Sequence, residues 1–230
     1  MRSHLPVTCS KLLLLGLVAA LAPWPPLAAQ APARARFGVQ ASFAMPSSMS
    51  LGDGAEDVDI EKMDVASNGY GLSAFCQWDF SKKHAFRLRA EYLDFGDKNQ
   101  FKNHEAALDS RAKSLGFFGE FVYSSHTHDN GGYIFAGAGW INSKVELTET
   151  SYQDPEPGDP DAPAGAHSET VSSSASSFGV AAGLGYNWTK NIGMEAKYTR
   201  ALGLEHQFRS EDPKLDAKWD WVTLSLTIRF

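Results

Sequence analysis

The sequence predicts an all-β fold: eight antiparallel strands closed up-and-down into a transmembrane β-barrel. Three observations predict it. The chain repeats alternating runs of about ten residues, each with one apolar face. The links between these runs are short and long by turns, and the number of runs is even. Beyond the amino-terminal segment, no apolar stretch reaches the roughly 18 residues that a spanning helix needs. A membrane crossing in this chain must therefore be made by strands.

The amino terminus sets the compartment. Arg2 and Lys11 precede the apolar run Leu12 to Ala22, interrupted only by Gly16. Pro23, Pro25 and Pro26 end the run, and small residues follow at Ala28 and Ala29. This is the layout of a secretory signal peptide. Cleavage is placed after Ala29, with the Ala-x-Ala sites ending at Ala33 or Ala35 as alternatives. The expected organisation is a signal peptide over 1–29, a linker over 30–35 and a barrel over 36–230. The mature chain then keeps 19 of the 21 basic residues and all 27 acidic ones, a net charge of −8. That balance argues against a nucleic-acid partner. Cys9 leaves with the signal peptide, so Cys76 has no partner for an internal disulfide.

Each strand is read from its period of two. "RFGVQASFAM" sets Phe37, Val39, Ala41 and Phe43 on one face. "YGLSAFCQWDF" does the same with Tyr70, Leu72, Ala74, Cys76, Trp78 and Phe80. In "FRLRAEYLDF", Phe86, Leu88, Ala90 and Tyr92 oppose Arg87, Arg89, Glu91 and Leu93. "SLGFFGEFVY" sets Leu115, Phe117, Gly119, Phe121 and Tyr123 against Glu120. "YIFAGAGWINSKVEL" is apolar or small on both faces at first, so its inward side stays open. "SFGVAAGLGYNW" has Phe178, Val180, Ala182, Leu184 and Tyr186 on its oily face. "IGMEAKYTR" sets Ile192, Met194, Ala196 and Tyr198 against Glu195 and Lys197. "WVTLSLTIRF" aligns Val222, Leu224, Leu226, Ile228 and Phe230 opposite Trp221, Thr223, Ser225, Thr227 and Arg229.

The links fix the orientation. "SKKHA", "SSHTHDNGG" and "TKN" are short, whereas residues 46–67, 96–110, 148–174 and 203–217 form four long loops. In outer-membrane barrels the short turns face the periplasm and the long loops face outside. Aromatic residues near strand ends fit interfacial girdles. Trp78, Phe80, Phe86, Tyr123, Tyr133 and Trp188 are expected beside the turns, and Tyr92, Tyr198 and Trp219 beside the loops.

The stretches "FRLRAEYLDFG" and "FGVAAGLGYNWTKNIGMEAKYTR", with the terminal "LSLTIRF", resemble the small eight-stranded outer-membrane barrels of the OmpA/OmpX/opacity-protein kind. The resemblance covers about residues 36–230. It implies the bacterial outer membrane, a monomer in lipid and lipopolysaccharide, and a function carried by loops that vary between members. Envelope integrity, adhesion and host-factor resistance are the roles implied, with a host or cell-surface ligand taken by the loops. Leu226, Ile228 and Phe230 resemble the carboxy-terminal signal read by the outer-membrane assembly machinery. The alternatives within this architecture are a lipid A-modifying enzyme and a narrow OmpW-like channel for small or apolar solutes.

With the oily faces outward, Arg87, Arg89, Glu91, Glu120, Glu195, Lys197 and Arg229 point into the lumen. An eight-stranded barrel is only wide enough for side chains to fill. The cluster therefore reads as a structural charged plug in preference to an ion path. Gly179, Ala181, Gly183 and Gly185 would leave room for it. No catalytic, cofactor or metal site is expected. His167, Ser168 and Glu169 are adjacent in a flexible loop, and nothing in sequence brings a serine and an acid to His104 or His206. His126, His128 and Asp129 read as a solvated turn, short of a metal site's three or four converging ligands. Asp154, Glu156, Asp159 and Asp161 lack the spacing of a dedicated calcium loop.

Overall fold

The computed structural model describes residues 34–52, 63–102, 106–153, 165–209 and 214–230. The signal peptide, His104 and the acidic stretch 154–163 lie outside the described residues. The strands are β1 (Arg34–Leu51), β2 (Met63–Asp64), β3 (Gly69–Asp79), β4 (His84–Lys102), β5 (Ala106–Ser124), β6 (Gly131–Gln153), β7 (Gly165–Asn187), β8 (Ile192–Leu202), β9 (Leu204–His206) and β10 (Leu215–Arg229).

Eight of them form a closed antiparallel ring in the order β1-β3-β4-β5-β6-β7-β8-β10, and β1 pairs back onto β10. β2 adds to β1, and β9 adds to β10, both at the long-loop end. Closure leaves the ring without a free edge, the condition for strands to sit in lipid. Along every wall the alternation read from sequence is obeyed. Phe37, Leu72, Leu184 and Leu226 project outward, each more than half exposed, while Gln40, Ser73, Glu120 and Glu195 between such residues are buried inside. The open choice in β6 is settled, because Tyr133, Phe135, Ile141 and Val145 are buried in the lumen and Ile134 and Trp140 are exposed outside.

Two of the turns repeat one local device. Ser81 Oγ accepts from the backbone N–H groups of Lys83 and His84 (3.2 and 3.0 Å). Thr189 Oγ1 accepts in the same way from Asn191 and Ile192 (3.2 and 3.0 Å). The hydroxyl residue that opens "SKK" and "TKN" is what tightens each hairpin.

Three expectations need correction. The strands run past their predicted ends, most of all on the long-loop side. β6 and β7 are each 23 residues long and pair without interruption from Gly131↔Asn187 to Gln153↔Gly165. The upper part of this ladder is polar, with cross-strand hydroxyl pairs Thr148–Thr170 and Thr150–Ser168, both at 3.0 Å. Beyond the bilayer no oily face is required, so hydropathy stops marking the strand while the ladder continues. Second, β1 starts at Arg34, so the last two linker residues already pair with Asp79 and Trp78 of β3. Third, Tyr133 and Trp219 are buried inside the barrel instead of standing in the girdles. The aromatic pair Trp78–Phe86, stacked at 6.3 Å, does sit by a short turn.

The interior has two tiers. Its short-turn half is polar and charged. Its long-loop half is an apolar core of Leu93, Phe95, Ile141, Val145, Leu204, Trp219 and Trp221 together with Met49, Leu51 and Val65.

Candidate functional site

The charged tier is built from two strands that face each other. In a ring of eight, β4 and β8 are four places apart in either direction, so they are diametrically opposite. Arg87, Arg89 and Glu91 alternate inward along β4, and Glu195 and Lys197 do so along β8. Glu120 of β5 lies directly beside Arg87 in the ladder. Arg87 Nε donates to Glu120 Oε2 at 2.6 Å, and its Nη1 to Glu195 Oε1 at 2.5 Å. Arg89 Nη2 meets Glu195 Oε2 at 2.5 Å, and Lys197 Nζ meets Glu91 Oε2 at 2.5 Å. Arg89 Nε is 3.2 Å from Glu120 Oε1, an ion pair without hydrogen-bond alignment. The bridges to Glu195 and Lys197 therefore cross the full width of the lumen.

Neutral groups complete the tier. Tyr133 OH donates to Glu195 Oε1 at 2.8 Å. Arg89 Nη1 and Ser73 Oγ both donate to Gln40 Oε1 at 2.8 Å, and Gln40 Nε2 passes the chain on to Thr227 Oγ1. The Arg87 guanidinium stands 4.6 Å from the Phe135 ring, and Lys197 Nζ stands 5.1 Å from that of Phe118. Buried charges need this density of partners to be tolerated. The small residues of β7 act one step removed from the charges. A Cβ on Gly183 would meet the Phe135 ring at 2.5 Å, and one on Gly185 would meet the Tyr133 ring at 2.3 Å. They make room for the rings on which the charged groups rest.

Arg229 is inward and buried, as its place in the alternation requires, but it stands below the ring of ion pairs. Its Nη1 donates to the carbonyl of His128 at 2.9 Å, and its buried Nε and Nη2 have no hydrogen-bond partner among the described residues. His128 is not in a solvated turn. It folds into the mouth of the barrel, where Nδ1 lies 2.7 Å from Ser124 Oγ and Nε2 lies 3.1 Å from the carbonyl of Ser81. Burial pushes its pKa down. His126 stays exposed beside Ser125, and Asp129 pairs with Arg36 at 2.5 Å. The three "HTHD" residues thus take separate partners. Leu226 and Ile228 line the outer wall of β10, and Phe230, one residue past its end, is exposed.

One arrangement has no forewarning in the sequence. At the long-loop end, His206 of β9 is fully buried, with Nε2 3.0 Å from Ser143 Oγ and Nδ1 3.1 Å from Ser173 Oγ. The ring stands 5.7 Å from that of Trp219. Burial alone pushes its pKa down to about 4. Ser143 and Ser173 belong to β6 and β7, far from His206 in sequence, so only the folded ring brings them together. Gln40, by contrast, could have been found from its place between Val39 and Ala41. Tyr133 could not, since both faces of its strand look alike.

A family model described as "Outer membrane protein beta-barrel domain" matches residues 12–230. No curated protein matches the chain. Among solved structures, similarity extends to Ail, the attachment invasion locus protein of Yersinia pestis, at 14% identity and a TM-score of 0.49, covering 86% of this chain and 99% of that one. It extends also to Neisserial surface protein A, at 12% identity and a TM-score of 0.42, covering 87% and 100%. OprG of Pseudomonas aeruginosa shows 11% identity and a TM-score of 0.44, covering 86% and 97%.

Proposed function

The chain belongs to the outer membrane β-barrel family and lies in the bacterial outer membrane, and from that premise we propose that its lumen is closed and its function resides in its surface loops. The roles this fits are envelope integrity, adhesion and resistance to host factors. The observation that carries the reading is the bridge between opposite walls. Arg87 and Arg89 on β4 are tied to Glu195 on β8, and Glu91 is tied to Lys197, with all five side chains buried. An apolar core closes the same lumen above them. A solute would have to part both tiers, which argues against the narrow-channel alternative.

What remains open to partners is the outside. The segments 46–67, 96–110, 148–174 and 203–217 hold 19 of the 27 acidic residues and five of the 21 basic ones. Such a surface favours cationic ligands, and it meets anionic lipopolysaccharide through divalent cations. Leu226, Ile228 and Phe230 serve, in this reading, as the signal to the assembly machinery.

We assign no enzymatic activity. His206 and Ser143 make the pairing that a lipid A-modifying enzyme of this architecture would need. Ser143 Oγ has one proton, however, and the carbonyl of Ala175 at 3.2 Å competes for it. Nδ1 faces a serine instead of a carboxylate, and both His206 and Ser143 are fully buried. A nucleophile must reach its substrate, and its base must be oriented by a third group. The trio reads as a lock that ties β9 to β6 and β7.

The test is to display the protein on cells with the β6–β7 projection cut to a two-residue turn between Leu147 and Val171. Adherence or serum survival conferred by the intact protein should be lost while the barrel persists. Full activity in the trimmed form, and in forms trimmed at the other three loops, would refute a surface-loop function.

A further inference from the structure

The wall of the barrel has a seam at its long-loop end. β7 and β8 are joined by a ladder up to Phe178↔Leu202. Gly203 then turns the chain at a φ of +65°, with open space where a Cβ would stand. Beyond it β9 continues on β10 alone, so among the described residues no ladder joins β7 to β9 above this level. Side chains close the gap. His206 Nδ1 and the backbone N–H of Gln207 both meet Ser173 Oγ at 3.1 Å, and His206 Nε2 reaches across to Ser143 Oγ. Behind the seam stand Ala201, Leu204 and Trp219 of the apolar upper core. Ser177 Oγ, at the foot of the seam, and Trp219 Nε1 are buried without a hydrogen-bond partner among the described residues.

These contacts fit one protonation state. The Gln207 N–H can only donate, and the Ala175 carbonyl can only accept. The arrangement that uses every contact therefore runs one way. Gln207 N–H donates to Ser173 Oγ, Ser173 O–H to Nδ1, Nε2–H to Ser143 Oγ, and Ser143 O–H to the carbonyl of Ala175. A second ring proton takes Nδ1 away from the Ser173 hydroxyl and puts a charge in a buried site. No counter-charge faces it from the strands packed around it. On β6, Lys144 and Glu146 lie on the opposite face from Ser143 and pair with each other at 2.8 Å. On β10, Asp216, Lys218 and Asp220 alternate with the inward Ala217 and Trp219. Glu205 of β9 is exposed and pairs with Lys214 at 3.2 Å, and Glu169 of β7 is exposed and pairs with Arg209 at 3.0 Å. His167 of β7 is exposed as well. Burial thus acts on the imidazole unopposed.

We propose that β9 is an acid-released latch: protonation of His206 holds its ring out of the seam, β9 parts from β7 about Gly203, and the apolar upper core is uncovered at the long-loop end. A histidine that docks only when neutral makes the docked state the one that acid depletes. Water entering the opened seam reaches Ser177 Oγ and Trp219 Nε1, which lowers the cost of opening. The ion pairs between β4 and β8 stay in place, so the device goes beyond the closed lumen and acts on its outer rim alone.

The experiment is hydrogen–deuterium exchange of the mature barrel in maltoside micelles, read by mass spectrometry at pH 7 and pH 5 and corrected for the intrinsic pH dependence of exchange. Protection over 201–209 and 171–177 should fall about tenfold or more in acid, while that over 193–199, in the spanning part of β8, is unchanged. His206→Phe keeps a ring against Trp219 and cannot charge, so its protection should be equal at the two pH values. Ser173→Asp sets a carboxylate beside Nδ1 and should cancel the acid loss. If His206→Phe leaves 201–209 unprotected at both pH values, Ser173→Asp decides alone. Wild-type protection equal at pH 7 and pH 5 overturns the latch. An acid loss as large as the wild type's in His206→Phe or in Ser173→Asp overturns it too, as does a loss that extends equally to 193–199.

Discussion

Glu195 ties three side chains of the interior together. Its two oxygens receive Arg87, Arg89 and Tyr133. Glu195→Gln would leave two buried guanidinium groups to share Glu120. Breaking a buried pair by removing one partner costs about 3–5 kcal/mol, whereas an exposed pair is worth about 0–1. The midpoint of urea unfolding should fall clearly, while Glu169→Gln, which breaks an exposed pair with Arg209, should leave it unchanged. His206 gives a pH signature. Its folded pKa is depressed to about 4 by burial, so the unfolded chain binds the proton more readily. Its contribution is complete above the ordinary histidine pKa of about 6.5 and is lost as pH falls from there toward 4. His128 shifts in the same direction, so the measurement is a difference: His206→Phe should flatten the fall in stability between pH 7 and pH 5 relative to wild type. An identical slope in both proteins would show that the buried imidazole does not govern it. The inward charges themselves were legible, because alternation alone places Arg87, Arg89, Glu91, Glu120, Glu195 and Lys197 opposite the oily faces. The pairs across the lumen, Arg87 and Arg89 with Glu195 and Glu91 with Lys197, were not, since they depend on the register of strands four places apart in the ring.

At the scale of the element, the spanning parts of all eight strands were legible and their outer ends were not. Lipid imposes an oily face on about 9–11 residues of a strand, and that face is what periodicity detects. Above the bilayer, β6 and β7 continue on Ser, Thr and Glu, and Thr and Ser hydroxyls pair across the ladder without any apolar stripe. The apolar upper core was concealed for a related reason. Leu93 and Phe95 follow Arg87, Arg89 and Glu91 on one inward face of β4, and Trp219 and Trp221 precede Thr223 on that of β10. A face that changes character halfway along reads as its majority type. The projecting ends contribute little to the barrel, and a long exposed loop adds little closure cost. Removing residues 148–170 and joining the ends by Asn-Gly should therefore leave the barrel assembled, as judged by its heat-dependent gel mobility. Failure of that variant to insert would make the hairpin a structural part of the wall.

For the whole molecule, ring closure accounts for stability, and the proposed closed lumen predicts electrical silence. Every strand of the ring has two neighbours, so the backbone ladder should resist detergent at room temperature and yield only on heating. The native protein should then run at different apparent sizes before and after boiling, and a single unchanged band would speak against a closed ring. Closure by strands alone would permit a pore, and in the proposed reading the side-chain filling prevents one: ion pairs that join β4 to β8 below, and Trp219, Trp221 and their neighbours above. The most direct test of the account is single-channel recording from the purified barrel in planar bilayers. The bridged lumen predicts no steady conductance from the wild type, with brief flickering at most. A stable open level in the wild type, together with unchanged stability when Glu120 and Glu195 are both replaced by glutamine, would mean that the charges line open water and would contradict the closed-lumen account.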